Sequence, residues 1–143
     1  LTEAGHARFP DRHGELTAQL IDQVRSLFGE QGMDRLLAAR EHTMCERYAD
    51  AMEGATTLAQ RLQALTQARD EEGYMAEVQA QADGSFLLTE HHCPICAAAS
   101  RCQGFCRSEL AVFQQAIGTA GSVCREEHLL SGGQRCVYRI TPV

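Results

Sequence analysis

The strongest constraint on this chain is a run of four cysteines at positions 93, 96, 102 and 106. Written as spacings, the run is C-x2-C-x5-C-x3-C, and Pro94 lies inside the first step. Thiolate ligands select zinc, copper(I) or iron-sulfur clusters over hard cations. A C-x2-C step that contains a proline also folds both sulfurs toward one centre. We therefore expect Cys93, Cys96, Cys102 and Cys106 to contribute to a thiophilic metal site.

The remaining cysteines and the neighbouring histidines widen the choice of ligands. Cys136 lies in the last predicted strand, which a sheet could bring beside the run, so five cysteines compete for about four positions. Cys124 suits either strand packing or a redox or ligand role, whereas Cys45 on a predicted helix is expected to fill the core. His91 and His92 could also bind metal, although a histidine pair at a strand end is more often solvated. Spacing alone does not select among these residues.

Composition limits the class of protein. A chain of 143 residues with 44% hydrophobic residues is sufficient for one compact domain. The formal net charge of -6 would repel a phosphate backbone, so this chain is not expected to bind DNA by itself. Neither a membrane span nor a signal peptide is evident in the sequence, which predicts a cytoplasmic protein. Seven cysteines in a reducing compartment indicate ligation or redox sensing rather than disulfides.

The first half of the chain is predicted to be helical after a connector over residues 1–14. Apolar residues at helical spacing predict three helices, over residues 15–28, 33–52 and 57–70. Gly29 is the expected end of the first helix, and Thr57 with Gln60 predicts a capping box at the start of the third.

The second half is predicted to contain two hairpins that flank one helix. The first hairpin pairs residues 74–80 with 86–88 across Asp83-Gly84, the helix covers 108–117, and the second hairpin pairs 123–130 with 135–140. The order is three helices followed by ββαββ, which predicts an α+β fold with an antiparallel sheet. Glu90 and the run at residues 70–72 are interpreted as solvated surface. No catalytic constellation is evident, so we do not expect an enzyme.

Several stretches together resemble the C-terminal domain of SufR-like transcriptional regulators. They are DEEGYMAE at 70–77, TEHHCPI at 89–95, CRSEL at 106–110 with Phe113, EHLLSG at 127–132 and RCVYRI at 135–140. In that family a winged helix-turn-helix reads DNA and the following domain binds an iron-sulfur cluster. The resemblance implies that residues 1–14 link to such a missing N-terminal reader and that residues 15–143 form the metal-binding, dimerising effector domain.

The resemblance also assigns ligands and a function. Cys93, Cys106 and Cys136 coincide with cysteines of the family's cluster motif, while the fourth ligand stays open among Cys96, Cys102, Cys124 and a histidine. The implied cofactor is a 4Fe-4S or 2Fe-2S cluster. Its occupancy is expected to control genes of iron-sulfur assembly or of iron and redox homeostasis. A homodimer that contacts DNA only through the N-terminal reader is implied as well.

Two other functions are compatible with the same residues. The thiols could hold a structural zinc ion in an interaction domain, which would be colourless and needed for folding. Alternatively, Cys96, Cys102 or Cys124 could act without metal as a redox switch that forms a disulfide.

Overall fold

The computed structural model describes residues 2–6 and 12–143 of the chain. The predicted connector at 1–14 therefore includes residues 7–11, which lie outside the described part. Within the connector a short helix, α1, covers Glu3–His6, and the long helix α2 begins at His13.

Helices α2 (His13–Ala51) and α3 (Leu58–Glu71) form the first half of the domain. The backbone of α2 is kinked at Gly29, whose φ of 71° is a conformation that glycine adopts without steric cost. The predicted break at Gly29 is thus confirmed as a kink between two helical segments. The predicted capping box is also confirmed, because the Thr57 side chain accepts from the Gln60 backbone and the Gln60 side chain accepts from the Thr57 backbone.

The strands form a four-stranded antiparallel sheet within the described residues, in the order β1-β2-β4-β3. Their bounds are Ala76–Ala80 for β1, Phe86–Glu90 for β2, Gly121–Glu127 for β3 and Cys136–Pro142 for β4. Both predicted hairpins are confirmed, although β3 ends at Glu127 and a short 3-10 turn follows at Leu129–Ser131. The antiparallel pairing of β2 with β4 joins the two hairpins. In this pairing Glu90 lies opposite Cys136.

Two helices separate the hairpins. The predicted helix, α5, covers Gly104–Ile117 and therefore begins before the expected Ser108. A further short helix, α4 (Cys96–Arg101), was not predicted. Its three consecutive alanines favour a helix, and Ala98 and Ala99 are buried, so packing supports the propensity.

The hydrophobic residues form two core clusters. The main cluster joins α2, α3 and α5 to the sheet; its largest buried members are Tyr48, Leu62, Leu65, Leu88, Phe113, Ile117, Tyr138 and Ile140. The second cluster packs α4 and the start of α5 against α2 through Ile21, Met33, Ala98, Ala99, Phe105 and Cys106. Helices followed by one sheet confirm the α+β class. Among the described helices, none is both long and apolar enough to cross a membrane.

Candidate thiol site

Three cysteines from different parts of the fold line one pocket. Cys93 follows the end of β2, Cys106 lies in the first turn of α5, and Cys136 is the first residue of β4. The antiparallel register of β2 and β4 places the end of one strand beside the start of the other, which brings the first and third of these residues together. The fold therefore brings together the three cysteines that the family resemblance selected.

The pocket is narrow. Its volume of about 20 Å³ is room for roughly one water molecule. Across residues 2–6 and 12–143, no group of three or more His, Cys, Asp or Glu side chains is arranged so that it could hold a metal ion. A structural zinc site is a closed, four-coordinate centre. The thiols thus share a pocket without forming a ready-made site for a single ion.

Burial changes the protonation of these thiols. It raises the pKa of Cys93 to about 12 and raises the pKa of Cys106 and Cys136 as well. Negative charge on Cys106 or Cys136 raises the pKa of Cys93 further, as expected for neighbouring groups. All three are therefore thiols near neutral pH, and any metal that binds them must displace protons, which makes binding stronger as the pH rises.

The structure distinguishes Cys96 from Cys102, which spacing could not. Charge on Cys96 contributes to the raised pKa of both Cys93 and Cys106, so its sulfur belongs to the same electrostatic neighbourhood. Cys102 packs instead against the second core cluster, on the side of Leu37. Cys96 is exposed at the start of α4, beside the pocket rather than in its wall. It is therefore the better placed of the two to supply a fourth sulfur.

The other sequence candidates lie away from the pocket or on its rim. Cys124 is exposed on β3, where it alternates with inward-facing residues, and Cys45 packs against the main core as predicted. His91 is exposed and contacts Glu77 on the neighbouring strand at 3.1 Å. His92 is exposed but lines the pocket.

Two polar residues that the ligand prediction did not name complete the pocket wall. Arg125 on β3 donates from Nη2 to the Cys106 carbonyl oxygen at 2.8 Å, and its Nε is buried without a hydrogen-bond partner. His128 accompanies it, with Nε2 also buried and unpartnered. Backbone support comes from Leu129, whose N–H lies 3.4 Å from the Cys136 sulfur. These groups provide hydrogen-bond donors beside the thiols. His128 also provides an imidazole nitrogen that can bind a metal.

A fully buried arginine lies at the base of the pocket. Arg69 from α3 donates to Glu90 at 2.6 and 3.0 Å and to Glu109 at 2.8 Å, and it also bonds the Tyr48 hydroxyl at 2.9 Å. Its guanidinium stacks on the Tyr74 ring, 3.4 Å from the centroid. The interpretation of Glu90 as surface was wrong, because this carboxylate is only 4% exposed and pairs with Arg69.

The arginine network positions the cysteines. Glu90 is three residues before Cys93 and faces Cys136 across the sheet, while Glu109 is one helical turn beyond Cys106. Because Arg69 binds both carboxylates, it fixes the position of β2 relative to α5. It thereby also fixes the distance between Cys93, which follows β2, and Cys106 in α5. In the sequence, the only indication of this network is the presence of polar residues beside the cysteines.

The chain matches no protein-family model and no curated protein.

Proposed function

We propose that this chain is the sensor domain of a DNA-binding transcriptional regulator and that its cysteines hold an iron-sulfur cluster. The observation that carries the proposal is the convergence of Cys93, Cys106 and Cys136 on one pocket from three separate elements. In the proposal Cys96 supplies the fourth sulfur. Because thiolate ligation requires reduced cysteines, the proposal places the protein in the cytoplasm.

The chemistry of the donors suits this cofactor. Thiolates bind iron-sulfur clusters as well as zinc, and the pocket of about 20 Å³ would have to widen to admit a cluster. A cluster is bound through more than one of its irons, so its thiolate ligands do not all have to close around a single ion. When bound, the cluster would respond to oxygen and iron through changes in its occupancy or its redox state.

The contacts of α4 provide a route from the thiol site to the start of the domain. Ala98 and Ala99 pack with Ile21 and Met33 of α2 in the second core cluster. Arg101 is held by Asp22 at 3.5 Å, and its carbonyl accepts from Arg25 at 3.3 Å. A rearrangement of α4 on cluster binding would therefore move the first segment of α2, which the kink at Gly29 separates from the rest.

The proposed output is altered DNA affinity in the full-length regulator. The DNA contact is assigned to a winged helix-turn-helix joined to this domain by the linker at residues 1–14, which agrees with the net charge of -6 on this chain. A cluster shifts the DNA-binding equilibrium only if it binds two arrangements of the protein with different affinities. The proposed targets are genes of iron-sulfur assembly or of iron and redox homeostasis.

Chelation is expected to change the DNA affinity of the full-length protein by about 5- to 150-fold, the range for a coupling of about 1–3 kcal/mol. DNA fragments selected from the genome by the anaerobic protein would be titrated before and after removal of the metal, with fluorescence anisotropy as the readout. The matched control is Cys93→Ser, whose affinity should not respond to the chelator. Equal affinities of the wild-type protein before and after chelation would contradict the proposed function.

The partner proposed for α2 is a second copy of the chain. Several large apolar side chains of this helix are exposed, among them Leu27 at 70% and Phe28 at 69%. Leu27 and Phe28 are adjacent in the chain, and neighbouring exposed apolar side chains are typical of protein interfaces.

Replacing Leu27 and Phe28 together by aspartate is expected to raise the dissociation constant of the homodimer at least about tenfold, because charge would be buried in an apolar contact. Light scattering coupled to size-exclusion chromatography, over a concentration series, measures the shift. Met75→Asp is the control, since this apolar side chain is 60% exposed just before β1 and outside α2. A monomeric wild-type protein, or a double variant that associates normally, would exclude this dimer interface.

A further inference from the structure

We propose that Arg125 is the positioning and charge-compensating residue of the thiol site, whose guanidinium offsets the negative charge of the thiolates when they hold a metal group. The inference rests on the proposed function and deepens it. It concerns a residue that the ligand motif does not contain.

Several contacts fix the orientation of the Arg125 side chain. Arg125 points to the inner side of β3, and its Nη2 donates both to the Cys106 carbonyl and, at 3.1 Å, to the Tyr138 hydroxyl. Its guanidinium carbon also lies 5.1 Å from the centre of the Tyr138 ring. These contacts hold the cation against the first turn of α5, where Cys106 lies, instead of leaving it free to turn to solvent.

Arg125 also carries an unused hydrogen-bond donor. The Nε–H of Arg125 is buried and has no hydrogen-bond partner, which is unfavourable for a donor removed from water. The residue lines the same pocket as Cys93, Cys106 and Cys136. A thiolate in that pocket would provide an acceptor, and a hydrogen bond between two charged groups is stronger than one between neutral groups.

The two arginines that line the pocket differ in how their charges are balanced. Arg69 also lines the pocket, but Glu90 and Glu109 pair with it and neutralise its charge. Over the described part of the chain, Arg125 has no carboxylate partner, and its hydrogen bonds go to neutral oxygens. Thiolates are therefore the anions available to balance this cation.

The test compares Arg125→Gln and Arg125→Lys with the wild-type protein. Arg139→Gln is the matched control, because it removes the same charge from the same sheet but at a residue that pairs with Glu126 and Asp83 outside the pocket. One arm titrates the reduced, metal-free proteins with Cd²⁺ and follows thiolate-to-cadmium charge-transfer absorption. The other arm measures the midpoint potential after anaerobic reconstitution with iron and sulfide. Circular dichroism establishes that each variant is folded.

Arg125→Gln is expected to weaken Cd²⁺ binding about tenfold or more, the effect of losing a hydrogen bond between charged groups. Arg125→Lys should fall between the glutamine variant and the wild type, because it keeps the charge without the planar fork. Reduction adds negative charge, so loss of the cation should lower the potential, by about 59 mV for a tenfold change in a one-electron equilibrium. Arg139→Gln should behave as wild type in both arms.

The possible failures are distinguishable. If the wild type forms a cluster and Arg125→Gln matches Arg139→Gln in affinity and potential, the role of Arg125 is overturned while the proposed function stands. If Cd²⁺ affinity falls only in the Arg125 variants but no protein forms a cluster, the role of Arg125 stands and the cofactor is overturned. A wild-type protein that binds neither Cd²⁺ nor a cluster overturns both.

Discussion

Arg69→Ala is expected to destabilise the domain by about 3–5 kcal/mol, the cost of removing one partner from a buried ion pair. Arg69 is 0% exposed and holds two carboxylates, of which Glu90 is 4% exposed and Glu109 is 3% exposed. Burial alone would lower the pKa of this arginine, but its hydrogen bonds and its attraction to Glu90 and Glu109 outweigh burial and raise the pKa. Without the guanidinium, both carboxylates would be left buried and would repel each other.

Urea denaturation followed by circular dichroism gives the free energy of unfolding for this comparison. Arg47→Ala is the control, since this arginine also binds a carboxylate, that of Glu72, but its side chain is 55% exposed. An exposed pair contributes at most about 1 kcal/mol. A loss of less than about 1 kcal/mol in Arg69→Ala would show that the network is not required for stability.

Single serine replacements of Cys93, Cys106 and Cys136 are each expected to reduce the iron bound after anaerobic reconstitution to near zero. Each of these residues lines the pocket, and serine provides a much poorer ligand for iron than a thiolate does. Iron and acid-labile sulfide per protein chain, together with visible absorption, measure the effect.

The remaining cysteines serve as internal controls. Cys102→Ser and Cys124→Ser should bind iron at the wild-type level, because one side chain packs in the core and the other is exposed on β3. Cys96→Ser should bind less iron than either. If Cys96→Ser binds as much iron as the wild type and His128→Ala does not, the fourth ligand is His128. Loss of iron in all variants alike would contradict a site built from particular thiols.

Much of the fold could be predicted because its signals are local. The capping box at Thr57 involves residues three apart, and the Asp83-Gly84 turn needs a residue with positive φ, which Gly84 provides at 87°. The break at Gly29 likewise follows from one residue. In contrast, α4 was not predicted, because its six residues lie inside the cysteine run and the spacing of that run indicates metal ligands rather than a helix.

The parts of the site that could not be predicted depend on tertiary contacts. Cys96 and Cys102 are equivalent by spacing, but Cys96 begins α4 whereas Cys102 follows its last residue with an extended backbone, so the helix separates them. Arg69 and Glu90 are 21 residues apart in the chain, and nothing near either residue indicates that the other neutralises it. The inward direction of Arg125 follows from the register of β3, which the sequence did not fix.

The central claim is that Cys93, Cys106 and Cys136 together bind one inorganic centre that contains iron and sulfide. The most direct measurement is elemental and acid-labile sulfide analysis of the full-length protein isolated without oxygen, combined with its visible and EPR spectra. The account predicts iron and sulfide in comparable amounts, with charge-transfer absorption that disappears in Cys93→Ser. A colourless protein that contains zinc, or no metal, and lacks labile sulfide would contradict it.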